Sequence, residues 1–352
     1  MINGKKTSFF IFLINFIAIF SLQAVPLTNL PDLRQLAMGS TAVAIKEFHG
    51  SFPRNPALLF QRESNLFRTG IRYQETIKTS VVANDPIPAI QNPKSTFELM
   101  FSNRYLGLSI ALANNLADRE IENNQLNFIA YNDSKVELNV AYGWRSFSFG
   151  FYAQGASQAY KDVILRKESP VTDYLEQAYL SRYDRQSEDG QFFSSGIGFL
   201  LTYQWASIGF MSDSLFTLDY DTNELSFDIV DSFKASSVGI AISTNKYNKD
   251  NELNLIVFNG GFDLTNIGNS ESRSLSIGLE GKIQFMNNLY VAVRGGYKEN
   301  RPSEKPLFAF DGDGTLTAGL GSRFGSFAID LATEIPLNKD YFKLAAGLTW
   351  GF

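Results

Sequence analysis

The chain has 352 residues, with 31 basic and 36 acidic side chains for a net charge of -5, no cysteine and one histidine. That balance argues against a nucleic-acid partner held by basic excess. It removes disulfide frameworks, thiolate metal sites and cysteine nucleophiles, and leaves histidine-dependent triads and multi-histidine metal sites almost nothing to work from.

The first residues have the layout of an export signal: Lys5 and Lys6, an apolar core from Phe9 to Phe20, and the small residue Ala24 before Val25. We therefore expect residues 1–24 to be a signal peptide and the mature protein to be exported. Residues 25–63 lack strand alternation. Pro31 and Asp32 can start a short helix with Leu33, Leu36 and Ala37 on one side, and Gly39 can end it. The small run Ser40-Thr41-Ala42-Val43-Ala44 follows. Asn55 as N-cap and Pro56 at the first helical position then start a second short helix.

The stretch Arg34-Gln35-Leu36-Ala37-Met38-Gly39-Ser40-Thr41-Ala42-Val43-Ala44, with Asn55-Pro56-Ala57-Leu58 about ten residues later, resembles the N-terminal hatch of the FadL-like long-chain fatty acid outer-membrane transporters. The matching residues are Arg34, Leu36, Met38, Gly39, Asn55, Pro56 and Ala57. Ser40-Thr41, Pro53-Arg54 and Leu58 depart from the family pattern.

Beyond the hatch, period-two alternation continues to the end of the chain. It predicts strands at about 66–80, 96–103, 105–113, 134–144, 147–160, 190–205, 207–220, 234–244, 252–264, 271–286, 288–299, 313–324, 326–335 and 340–352, an even number as bacterial barrels require. Short turns at Asn103-Arg104, Arg145-Ser146, Ala206, Met286-Asn287 and Gly325 alternate with longer connections, including 114–133 and 161–189. The last strand puts Phe342, Leu344, Ala346, Leu348, Trp350 and Phe352 on one face. Trp350 and the final Phe352 resemble the signal read by the barrel assembly machinery. The chain contains no apolar run of about 20 residues after residue 24. The expected fold is an all-β transmembrane antiparallel β-barrel of about fourteen strands (64–352), with a small N-terminal helical hatch (25–63) in its lumen. A soluble β-sandwich is the competing architecture.

Catalytic chemistry finds no constellation. Asp311-Gly312-Asp313 begins like a calcium loop, but Leu316 and Ser322 stand where the EF-hand needs Gly and Glu. His49 has no companion for a triad or a metal. We expect no enzyme, no cofactor and no metal. Charged residues at lumen positions are Arg68, Arg72, Glu98, Glu137, Glu280, Lys282, Arg294, Asp330, Glu334 and Lys343, of mixed sign, which favours a plugged or narrow lumen over a selective ion pore. In 161–189, Val171, Tyr174, Leu175, Ala178 and Tyr179 recur at helical spacing and form the candidate site for a hydrophobic ligand.

The family resemblance implies uptake of long-chain fatty acids or other hydrophobic molecules by facilitated diffusion, with a sideways exit through a gap at a kinked strand. Ala113-Asn114-Asn115 or Asn259-Gly260-Gly261 are the candidate kinks. It also implies an outer-membrane location, a monomer, lipid around the wall and no nucleic acid. The alternative is a non-transporting barrel of the same superfamily that serves as an anchor or docking platform; a diffusion porin is third.

Overall fold

The computed structural model describes residues 32–45, 54–61, 65–78, 90–122, 125–144, 146–167, 180–219, 224–226, 235–244, 256–269, 272–286, 289–300 and 314–351. The strands are β1 (Leu66–Lys78), β2 (Ile90–Ser102), β3 (Leu106–Glu122), β4 (Gln125–Trp144), β5 (Phe147–Lys167), β6 (Leu180–Tyr203), β7 (Ala206–Asp219), β8 (Glu224–Ser226), β9 (Ser236–Ser243), β10 (Ile256–Thr265), β11 (Ser274–Met286), β12 (Leu289–Asn300), β13 (Thr315–Phe324), β14 (Phe327–Pro336) and β15 (Tyr341–Gly351). Each wall strand pairs antiparallel with its neighbours, and β1 closes on β15 from Arg68↔Gly351 to Lys78↔Tyr341. Fourteen strands form the closed wall; β8 is a three-residue strip on the free end of β7.

The wall has two chemically opposite faces because the side-chain period of a strand is two. On β11, Leu279 is 65% exposed on the outside while Glu280 is buried inside. Val140, Tyr142 and Trp144 of β4, Phe147, Phe149 and Phe151 of β5, and Leu344, Leu348 and Trp350 of β15 likewise point out. A continuous outer surface of this kind belongs in lipid. Near the end where β1 starts and β15 finishes, Tyr105, Trp144, Tyr203, Trp205, Phe327 and Trp350 are all exposed, an aromatic girdle at one interface. Phe327 and Trp350 stack across the β14–β15 ladder at 6.3 Å.

Two connections differ from expectation. Most of 114–133 and of 161–189 is strand, so that β3 to β6 run to 17, 20, 21 and 24 residues. Spanning a bilayer takes only about 9–11. The excess continues the ladder away from the girdle, in stretches where the sequence no longer alternates. The two candidate kinks are regular: Ala113, Asn114 and Asn115 pair with Thr96, Ser95 and Lys94, and Asn259, Gly260 and Gly261 pair with residues of both β9 and β11. The expected signal peptide, His49, Phe352 and the ligand residues Val171, Tyr174, Leu175, Ala178 and Tyr179 lie outside the described residues.

Inside the wall lies the N-terminal segment, here the inner segment. It contains the helix α1 (Leu33–Ala37) and a 3-10 turn, Pro56–Gln61. Asp32 caps α1 by accepting from the Arg34 N–H at 3.1 Å. At its far end the Ser40 N–H donates to the Gln35 carbonyl at 2.7 Å and the Gly39 N–H to the Leu36 carbonyl at 3.2 Å, with Gly39 at φ 67°. This is the paired closure a left-handed Gly makes possible. An arginine in place of the outward Leu279 should cost about 2–4 kcal/mol of barrel stability, measured by urea unfolding from vesicles. An unchanged midpoint would contradict the lipid-facing assignment.

Candidate functional site

The inner segment is bonded to the wall at four places. The first is a charge cluster. Arg34, 2% exposed, donates through Nε and Nη2 to Oε2 and Oε1 of Glu280 at 2.9 and 2.7 Å. Glu280 also accepts from Arg294 Nε at 2.7 Å and from Asn259 Nδ2 at 2.8 Å, and Arg294 Nη1 donates to Asp330 Oδ1 at 2.5 Å. Two guanidinium groups and two carboxylates cancel. Neutrality matters because a lone buried ion costs several kcal/mol, and the two-pronged arginine geometry fixes direction as well as charge.

The second holds the end of α1. Thr317 Oγ1 accepts from the Gly39 N–H and donates to the Ala37 carbonyl, both at 2.9 Å. The third holds the small run: Asp263 Oδ2 accepts from the Ala42 and Val43 N–H groups at 2.5 and 2.9 Å, and the Ser207 hydroxyl donates to the Ala44 carbonyl at 2.7 Å. The fourth is Asn55. Its Oδ1 accepts from the Ala57 N–H at 3.0 Å as an N-cap, while Nδ2 donates to the carbonyls of Val43 at 2.9 Å and of Phe199 on β6 at 3.1 Å. Ser148 of β5 donates to the Ala57 carbonyl at 3.0 Å, and the Arg104 guanidinium lies 3.9 Å over the Phe60 ring.

These bonds are possible because the wall is bare where the segment touches it. Gly143, Gly150, Gly198 and Gly209 of β4 to β7 abut Phe60, Pro56, Asn55 and Val43; Gly239 and Gly261 of β9 and β10 abut Val43 and Ile45. Gly278 and Gly296 abut Met38 and Gly39, Gly319 abuts Ala37, and Gly347 abuts Leu33. A Cβ at any of them would collide. Ten strands thus contribute one glycine each to a collar on which the inner segment sits, and Ala332 and Ala345 complete the seat of Leu33, Leu36 and Ala37.

One seam of the wall is irregular. Between β6 and β7 the register passes from Ser195↔Phe216 to Ile197↔Ser212, which sets residues 213–215 against Gly196 alone. At the same level β7 leaves β9, their ladder ending at Ser212↔Ser236. The inner segment and β5 each hold this seam by one residue. Arg54 Nη2 donates to Asp213 Oδ2 at 3.1 Å, and the Tyr152 hydroxyl donates to the Asp213 carbonyl at 2.6 Å. Above the collar the inward side chains are polar: Lys94 and Asp133 at 3.8 Å, Lys135 and Glu137 at 2.6 Å, Lys343 and Glu334 at 3.1 Å.

The seven motif residues Arg34, Leu36, Met38, Gly39, Asn55, Pro56 and Ala57 are all buried, and all lie at the contact with the wall. Trp350 sits in the girdle. The partners of the wall contact that pattern reading missed are Arg54, Asp213, Asp263 and Thr317, while Asn259, read as part of a candidate kink, instead donates to Glu280. Asn259 and Asp263 share the lumen-facing parity of β10 with Gly261, so parity is a signal that points to both. Met211-Ser212-Asp213-Ser214, where alternation lapses, marks the irregular seam.

Removing one partner of the charge cluster should be costly. Arg34→Ala should lower stability by about 3–5 kcal/mol and make the inner segment cleavable by trypsin while the wall still resists; wild-type resistance would refute the clamp. For the collar, Gly278→Val should prevent the heat-resistant folded form. Gly281→Val should be tolerated, since its added Cβ meets nothing closer than Phe258 at 3.6 Å. Equal folded yields would refute the close-approach argument.

No family model and no curated protein sequence matches the chain. Solved structures do match in fold. The Ralstonia pickettii toluene transporter TbuX aligns at TM-score 0.54 and 12% identity over 92% of this chain and 99% of that one. CymD, described as a monoaromatic hydrocarbon channel, aligns at 0.54 and 10% over 93% and 98%. The Pseudomonas putida toluene transporter TodX aligns at 0.50 and 10% over 91% and 96%. The chain therefore has the FadL-like fold, a closed fourteen-stranded antiparallel barrel, at 10 to 12% identity to these solved structures.

Proposed function

We propose that the protein is an outer-membrane transporter of hydrophobic small molecules, long-chain fatty acids or hydrocarbons, in which the inner segment is a hatch and solutes leave sideways through the β6/β7 seam. The observation that carries this reading is the collar. A hatch bonded to the wall at four places and pressed against ten strands blocks the straight route along the lumen, so an apolar solute needs another exit. Such a solute gains by passing directly from protein to lipid, and a wall opens most cheaply where its ladder is already interrupted. The seam is interrupted, and Arg54 and Asn55 tie it to the hatch. The printed descriptions of TbuX, TodX and CymD as toluene transporters and a hydrocarbon channel support the solute class. Val171, Tyr174, Leu175, Ala178 and Tyr179 remain the residues we assign to capture of the solute before it reaches the barrel.

The second reading, a non-transporting barrel that anchors or docks other proteins, draws support from the polar lumen lining. One experiment separates the two. The chain contains no cysteine, so Ile197→Cys with Ser212→Cys places one pair across the seam at facing ladder positions. Uptake of a fluorescent fatty acid into proteoliposomes should stop on oxidation and return on reduction. Uptake that persists when the pair is oxidised would remove the seam as exit, and absence of saturable uptake in the wild-type protein would favour the platform.

A further inference from the structure

Among the described residues, 213–215 belong to no ladder. On one side β6 offers them only Gly196, between Ser195↔Phe216 and Ile197↔Ser212. On the other, β7 leaves β9 at Ser212↔Ser236 and meets β8 from Thr217 onward. A wall segment without ladder bonds on either edge must hold its main-chain groups by other means, because an unmade bond inside a membrane wall is expensive.

Asp213 is held from two sides. Its carboxylate accepts from Arg54 Nη2 at 3.1 Å, and its carbonyl accepts from the Tyr152 hydroxyl at 2.6 Å. The ion pair is the weaker hold: the side chains of Arg54 and Asp213 are 31 and 26% exposed, and a pair that water reaches contributes little. Tyr152 is 6% exposed, and its hydroxyl has only a longer second contact, 3.4 Å to Asp213 Oδ1.

Tyr152 reaches this carbonyl by a route that a glycine leaves open. Tyr152 and Gly196 face each other in the β5–β6 ladder. A Cβ on Gly196 would lie 2.4 Å from Tyr152 Cε1 and 2.2 Å from the Ser212 carbonyl oxygen, so the ring lies across bare backbone. The hydroxyl thereby passes over β6 and bonds to β7, two strands from its own. One side chain of β5 supplies to β7 a bond that β6 does not.

We propose that the Tyr152 hydroxyl is the fastening of the seam: it holds residues 213–215 in the wall, and its release, rather than that of the Arg54–Asp213 pair, sets how often the seam opens. Tyr152 is a positioning residue that acts through the Asp213 main chain, and its part in transport rests on the proposed sideways exit. An apolar solute has no group to replace the hydroxyl, so the Asp213 carbonyl goes without its partner while the solute passes. The cost falls on the rate of passage and not on capture.

Tyr152→Phe tests this, because it keeps the ring over Gly196 and removes only the hydroxyl. In hydrogen–deuterium exchange of the folded full chain in vesicles, the amides of 211–216 should exchange about tenfold faster in Y152F than in wild type, with β11 unchanged. Asp213→Asn, which spares the carbonyl and weakens the ion pair, should give a clearly smaller acceleration. Uptake of a fluorescent fatty acid should show a raised maximal rate in Y152F at an unchanged half-saturating concentration. Wild-type exchange in folded Y152F, or an equal acceleration in D213N, would overturn the proposal. Faster exchange with uptake unchanged, or absent from every form, would instead remove the seam as exit and leave the fastening standing.

Discussion

The Glu280 carboxylate, buried with Arg34 from the inner segment and Arg294 from the wall, is the contact on which the arrangement inside the barrel depends. Glu280 and Arg294 face each other directly across the β11–β12 ladder. Arg294 reaches on to Asp330, so the wall alone holds two negative charges and one positive. Within this hydrogen-bonded group, Arg34 supplies the second guanidinium. A side chain that neutralises a buried excess and donates two hydrogen bonds at once has one place to go. That selects both the depth and the rotation of α1, and with them the positions of Gly39 and the small run that follows.

The collar then converts one fixed point into a broad seat. Charge pairing acts at a spot; steric fit acts along a line. Because the wall glycines remove every Cβ along that line, main chain meets main chain, and Asp263, Thr317, Ser207 and Ser148 can satisfy groups of the inner segment from the flanks. A buried backbone group without a partner would be expensive, which explains why the small residues of the segment and the glycines of the wall occur opposite one another. The two requirements reinforce each other: larger residues on either side would push the bonds beyond reach.

Much of this was legible in the sequence, and the limits follow from what alternation measures. Period two reports a difference between faces, so it located each of the fourteen wall strands where one face meets lipid and the other meets the lumen. It lost the far parts of β3 to β6, where the sequence does not alternate and the strand is held by its neighbours' ladders. Parity also put Glu280, Arg294 and Asp330 on the inward face, but which of them meet depends on register, a property of two strands at once. Arg34, Gly39 and Asn55 stood out by their spacing. Asp263 did not, because a single inward carboxylate among many looks like any other until the N–H groups of Ala42 and Val43 are brought to it.

The polar lumen and the apolar solute class of the structurally similar transporters fit together once the routes are separated. A lumen lined by Lys94, Asp133, Lys135 and Glu137 is a poor solvent for a hydrocarbon, since the charges would have to surrender water without gaining a partner. On the proposed reading an apolar solute is therefore driven to the wall, against which the inner segment packs from β4 to β7 and from β9 to β13. The β6/β7 seam differs, for residues 213–215 exceed what β6 can pair and Arg54 holds Asp213 by one partly exposed contact.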